Sequence, residues 1–228
     1  YDLTPGPEKV ILECADLSAP VDPGGKIFGS LTLGLLRVRV PSTPLDVAPL
    51  VVTTGADMPS TQAMATLVTG PVSQILPTRP IVAVDMRGIG NSQPLDCIPE
   101  STRSALNDLT QAGPMPPDPV QAIIAASQTA TTACKDFLAP QELTFDPVHG
   151  ADDIDAVRQH WQVDKIALLG MGNGSRIAMA YAAKFGNHVG RLILDAPEDT
   201  STDAAVIAEN RVRGAEDAVT AFAQRCTG

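Results

Sequence analysis

The sequence predicts an α/β protein built on a mostly parallel, doubly wound sheet. Short apolar runs at 49–53, 79–85, 166–169 and 191–195 have the length and boundaries of buried strands. Segments with helical periodicity separate them, which implies crossover connections and parallel pairing. Ligands in such sheets sit beyond the carboxyl ends of the strands. The turns after Val52, Asp85, Leu169 and Asp195 are therefore expected to converge on one side.

Taken in order, residues 1–25 read as irregular, punctuated by Pro5, Pro7, Pro20, Pro23 and the Gly24-Gly25 pair. Residues 27–40 read as a hairpin or strand pair, with Leu31, Leu33 and Leu35 on one face and Arg37 and Arg39 alternating with Val38 and Val40. After the strand at 49–53, a helix is expected over 62–76, stopped by Pro77. The strand at 79–85 ends on Asp85 and leads into a glycine turn. Residues 94–119 are expected to be loop-rich, because the prolines of 113–119 suit neither a helix nor a central strand. Helices follow at 120–138 and 150–161, the second with Asp152, Asp153 and Asp155 placed in its first turns, where the helix dipole favours them. The strand at 166–169, a helix to about Phe185, the strand from Arg191 to Asp195 and a helix over 202–226 complete the chain.

At 228 residues the chain fits one domain that buries a sizeable core. No apolar run approaches the roughly 18 residues of a membrane span. A net charge of −10 argues against nucleic acid or an anionic membrane as partner. The three histidines lack metal-site spacing to carboxylates, and no cofactor is implied. The chain starts at Tyr1 without a signal-like apolar segment, so a processed or trimmed product is expected. Few lysines, many prolines and alanines and the missing initiator methionine favour an exported protein, in which the four scattered cysteines read as disulfide partners, whereas in the cytosol they would be buried thiols.

The stretch from Lys165 to Tyr181 organises the rest. An apolar strand, the turn Gly170-Met-Gly-Asn-Gly174 and a helical pattern follow one another. That is the setting of a nucleophile elbow, Gly-x-Ser-x-Gly, with Gly172 where the serine would stand. Cys14 to Asp22, Asp85-Met-Arg-Gly-Ile-Gly-Asn-Ser92 with Pro94 and Cys97, Asp153 to Arg158, and Tyr181 to Asp195 add further motifs in order. Together they resemble the tripeptidyl-aminopeptidase-like branch of the α/β-hydrolase superfamily in actinobacteria, over nearly the whole chain. The resemblance implies the α/β-hydrolase fold and an ancestral serine peptidase or esterase working through an acyl-enzyme.

Three departures qualify that ancestry. Gly172 replaces the nucleophile. The family's glycine-rich oxyanion loop is Thr53-Thr-Gly-Ala-Asp-Met58 here, so Gly55 alone survives and Asp57 brings a carboxylate that would oppose oxyanion charge. Asn173 still offers its N–H. No histidine follows His188, while His149 and His160 precede the elbow, so no Ser-His pair is assignable. The altered loop favours a natural loss of the nucleophile over a deliberate substitution. Ser175 is the nearest substitute hydroxyl, but a serine in the first helical turn more often faces backbone. Ser92 and Asp195 read as structural, with Arg87 tying loops together. A dinucleotide-loop reading of the glycines fails where its third glycine would be Ser175, although Asp195 stands at the acid's distance.

Cys97 and Cys134 flank the proline-rich excursion and are the preferred disulfide. Cys14 and Cys226 are left to pair with each other, or Cys226 with a partner beyond Gly228. Residues 1–200 are expected to form the N-terminal part of the hydrolase core and 201–228 the start of a cap. The late strands and the cap itself are expected outside this chain, since the strand from Arg191 to Asp195 would otherwise be an open edge. The expected function is binding of a peptide or protein by an exported, catalytically inactive member. The alternative is an active aminopeptidase or esterase seen as a fragment or nucleophile-less variant.

Overall fold

The computed structural model describes residues 9–110, 117–197 and 203–226. Its sheet opens with β1 (Ile11–Pro20) and β2 (Ser30–Arg39), paired antiparallel from Ile11 opposite Arg39 to Pro20 opposite Ser30. This corrects the irregular reading of the N-terminal stretch for residues 11–20; residues 1–8 lie outside the described residues. It also makes 30–39 one strand rather than a hairpin of its own. The turn between them is closed by Asp22, whose carboxylate accepts the N–H groups of Gly24, Lys26 and Ile27 at 2.7, 3.0 and 3.3 Å. β1 is an edge strand whose burial alternates, with Ile11, Glu13, Leu17 and Ala19 inward, but the inward Glu13 and the exposed Leu12 break the matching alternation of hydrophobicity.

β3 (Leu50–Thr53), β4 (Ile81–Val84), β5 (Ile166–Met171) and β6 (Val189–Asp195) supply the parallel part, and the spatial order is β1-β2-β4-β3-β5-β6. β2 meets β4 antiparallel, whereas β3 pairs parallel with β4 and β5, and β5 with β6. Because strand side chains alternate, neighbouring residues feed opposite layers. Val51, Val82 and Leu168 pack with Ile154, Val157, Ile177 and Tyr181 of α4 (Pro147–His160) and α5 (Gly174–Lys184). Val52, Ala83 and Leu169 pack with Met64, Leu67 and Val68 of α1 (Ser60–Thr69).

The expected helix over 62–76 is in fact α1 followed by a 3-10 turn, Pro71–Ile75. Pro71 has no N–H to continue the ladder, and Gly70 before it is extended (φ −99°, ψ −172°). The stretch 94–119 contains α2 (Glu100–Thr110), against the loop-rich expectation; residues 111–116 lie outside the described residues. Pro99-Glu100 is a helix-start signal that the downstream prolines masked. α2 packs on α3 (Pro119–Leu138), and the Cys97–Cys134 disulfide, with Cα atoms 4.7 Å apart, staples the pair. Cys14 and Cys226 are both free and exposed.

The aspartates of α4 do not serve its dipole. The helix starts at Pro147, capped by Asp146, which accepts the His149 N–H at 2.8 Å. Asp152, Asp153 and Asp155 lie further along and bind Lys184, Arg87 and Arg158 respectively. Arg87 is the fully buried member of these pairs: it grips Asp153 at 2.7 and 2.8 Å and donates to the carbonyls of Val21 and Thr144 at 2.7 and 3.0 Å. Burial pushes the Asp153 carboxyl up, and the Arg87 hydrogen bonds oppose that shift. The remaining long element, α6 (Ala204–Cys226), covers the C-terminal helix expected over 202–226, of which Thr202 lies outside the described residues.

Across the opening hairpin, Arg39 and Arg37 both bind Glu13, at 3.0 and 2.7 Å. Hydrogen bonds from Arg39 first, then Arg37, hold the Glu13 carboxyl down to about 2. A depressed acid contributes stability above its unfolded pKa and loses it as pH falls through the folded one. Glu13→Gln should therefore lower stability at pH 7 by less than about 1 kcal/mol, given the partial exposure of the cluster. In urea titrations, the gap between the two proteins should narrow as pH falls from 4.5 toward 2.

Candidate functional site

The site is built where β5 turns into α5. Gly172 sits at φ +52°, a left-handed conformation that glycine adopts without strain. The turn closes tightly, with Ser175 N–H donating to the Gly172 carbonyl at 3.1 Å and Arg176 N–H to that of Asn173 at 3.0 Å. α5 starts hard against β3: a Cβ on Gly174 would lie 2.0 Å from the Thr53 carbonyl oxygen, so only glycine fits. From the other side, Gly172 N–H donates to the Asp195 carbonyl at 2.9 Å, tying the end of β6 to the turn.

The loop after β3 folds over this turn. Thr54 N–H donates to the Ser60 hydroxyl at 3.0 Å, and the Thr54 hydroxyl to the Met58 carbonyl at 2.5 Å. That bend brings exposed Asp57 across the elbow, where its Oδ2 accepts the Asn173 N–H at 2.7 Å. The same oxygen lies 2.5 Å from the point a Cβ on Gly172 would occupy. Ala56 N–H donates in turn to Asn173 Oδ1 at 3.4 Å. In a serine hydrolase of this architecture, the oxyanion donors are the N–H after the nucleophile and one from the loop after the third strand. Here both kinds of donor carry an acceptor from the protein itself, and the first carries a carboxylate.

Gly55 and Asn173, the residues singled out for an oxyanion hole, lie against each other, since a Cβ on Gly55 would be 2.7 Å from the Asn173 carbonyl carbon. Gly55 N–H, however, donates to the Thr53 hydroxyl at 3.3 Å, and the donor facing the turn is that of Ala56. Sequence reading missed Ala56 because surviving glycines drew attention away from their neighbour. Ser175 is fully buried, and its hydroxyl donates to the Gly170 carbonyl at 3.1 Å. The Ser92 hydroxyl donates to the Asp85 carbonyl at 2.7 Å and accepts Gly34 N–H at 2.9 Å. Buried Asp85 accepts Thr61 N–H at 2.8 Å and Asn91 N–H at 2.9 Å, so it pins its turn to the start of α1.

The histidines are engaged elsewhere. His149 Nδ1 is 3.0 Å from Asp146 Oδ1. His188 Nδ1 is 2.8 Å from the Asp164 carbonyl, at the amino end of β6 and therefore across the sheet from Gly172. His160 lies edge-on to Trp161 at the end of α4. Beside the carboxyl end of β6 runs a trough of about 620 Å³ lined by Leu67, Val72, Ile75, Leu169 and Ile193. Among the described residues β6 pairs only with β5, and Leu192 and Ile193 are 37% and 48% exposed. Among the described residues, no helix is long and apolar enough to cross a membrane.

A family model described as alpha/beta hydrolase fold matches residues 73–225. Serine protease Hip1 of Mycobacterium tuberculosis (strain H37Rv) is 29% identical over 226 residues, covering 93% of this chain and 41% of that protein. The Mycobacterium bovis protein of the same name matches to the same extent. The chain thus spans about two fifths of the length of the curated relatives it matches. A thermophilic esterase from Thermogutta terrifontis shares the fold, with a TM-score of 0.50 at 18% identity over 89% of this chain and 53% of that one.

Asp57 and position 172 should be energetically coupled. Gly172→Ser introduces a side chain at positive φ and against the carboxylate, and should cost about 1–3 kcal/mol in urea unfolding. Asp57→Ala in the same protein should recover part of that loss. Strict additivity in the double-mutant cycle would show that Asp57 does not overlie the elbow in solution.

Proposed function

The chain belongs to the alpha/beta hydrolase fold family, and from that premise we propose that it is an exported member that holds a peptide or protein segment at the carboxyl end of its sheet without cleaving it. One observation carries the reading. The Asp57 carboxylate rests on the Asn173 N–H and crowds the space above Gly172, so nucleophile and oxyanion site are lost together. Acyl transfer needs donors aimed at a developing negative charge, and a fixed carboxylate in that place opposes it. Ser175 offers no replacement, being buried and bonded to Gly170. The peptide-like ligand rests on the likeness to a protein named as a serine protease. Export is supported by the Cys97–Cys134 disulfide.

The same proposal treats residues 1–200 as hydrolase core and 201–228 as the start of a cap. It also assigns the open edge of β6 and its apolar trough to a covering segment, either from the remainder of the same precursor or from a partner protein. A second reading has one observation in its favour: Gly172 keeps the positive φ that a strained elbow imposes on its nucleophile. On that reading the chain is a nucleophile-less or partial form of an active aminopeptidase or esterase.

Fluorophosphonate labelling separates the two. No serine, Ser175 included, should react, and the Gly172→Ser protein should stay unlabelled while Asp57 is present. Stoichiometric labelling of the unsubstituted chain would overturn inactivity, and labelling of Gly172→Ser alone would favour the second reading. The immobilised chain should retain members of a mixed tri- to pentapeptide library, and Ala56→Trp, at an exposed position of the loop over the elbow, should reduce retention. A library that passes through unretained sinks the binding role.

For the β6 edge, native mass spectrometry of the protein from its source should find a polypeptide of different sequence, or further precursor sequence, accompanying the 23.8 kDa chain. Its absence would count against a covering segment.

A further inference from the structure

α6 is the longest of the described elements and makes no more than glancing contact with any other of them. Every residue from 205 to 226 is exposed, except half-buried Ile207. Helices in proteins draw most of their stability from burying one face, and α6 buries almost none of its own. The face available is regular. Ala205, Ala208, Val212, Ala215, Val219 and Phe222 recur at alternating spacings of three and four, and Cys226 continues the series. Val212, Val219 and Phe222 are 60%, 68% and 69% exposed. This is a heptad seam, with Ala205, Val212, Val219 and Cys226 at the a positions and Ala208, Ala215 and Phe222 at d.

The charges beside the seam choose both the occupant and its direction. Arg211 and Arg225 fall at g positions, and Glu209 and Glu216 at e. In a parallel two-stranded pair, a g residue faces the e residue five positions on in the partner, which sets Arg211 opposite the partner's Glu216. Two-fold symmetry makes that contact twice. An antiparallel pair instead brings g beside g and e beside e, arginine against arginine and glutamate against glutamate. Valine at two a positions also favours two strands. The seam is thus complementary to itself in one orientation.

We propose that α6 pairs with α6 of a second copy as a parallel two-stranded coiled coil, which sets Cys226 across the axis from the partner's Cys226. The inference is independent of the reading of the elbow. Sedimentation of the reduced full chain should show a species of twice 23.8 kDa that grows with concentration. Arg211→Glu turns both cross-pairs repulsive and should weaken association roughly tenfold, and adding Glu216→Arg should restore it. With Cys14→Ser and glutathione disulfide as oxidant, one Cys226 thiolate displaces a glutathione thiolate to form a mixed disulfide. The partner's Cys226 thiolate then displaces the second glutathione, so two thiols become one disulfide and two reduced glutathiones are released. Peptide mapping should recover the Cys226–Cys226 link.

A monomer at every concentration overturns the proposal, including one whose α6 amides are protected from hydrogen exchange by another part of the polypeptide. A dimer that forms but is indifferent to Arg211→Glu, or that yields no Cys226 link, overturns the parallel register.

Discussion

The approach of α5 to the end of β3 constrains the rest of the site. Gly174 lies so close to the Thr53 carbonyl that no side chain fits. That contact puts the Asn173 N–H within reach of the loop leaving β3 and holds Gly172 in a turn that few residues tolerate. In an active serine hydrolase, this geometry aims a hydroxyl at the substrate's carbonyl carbon and an N–H at its oxygen. In this protein the space is taken by Asp57, and the N–H is already bonded. Glycine packing and strand register hold this turn in place whatever groups line it.

A second set of constraints keeps the loops around the sheet in place. Arg87 is buried among carbonyls from the opening hairpin and from the segment before α4, and Asp153 compensates its charge. Asp85 and Ser92 do similar work between β4, β2 and α1. These polar groups are satisfied internally, which suits a buried network that fixes loop positions. The Cys97–Cys134 bond adds a covalent restraint to α2 and α3, which pack mainly on each other.

Two surfaces remain open in the described structure, the β6 edge with its trough and the seam of α6. They differ in chemistry. The β6 edge offers unpaired backbone and aliphatic side chains, which suit another strand or a covering segment. The α6 seam carries charges that match a second α6 in one direction. The β6 edge adjoins the elbow, since Asp195 lines its trough and its carbonyl accepts the Gly172 N–H.

The central strands and the glycine elbow with Gly172 at its centre were legible in the sequence, because buried strands are short apolar runs and glycine suits a backbone that turns sharply. Arg87 as a loop tie was legible too, though its partner Asp153 was misread as serving the helix dipole. β1 and α2 were not legible: the inward Glu13 and exposed Leu12 disguise the alternation of an edge strand, and the prolines around α2 pointed to loop. The sequence by itself determined that the loop after β3 carries a carboxylate, Asp57. Only the tertiary structure decided that it lies on the Asn173 N–H, because that contact joins residues 116 positions apart and depends on how closely α5 packs against β3.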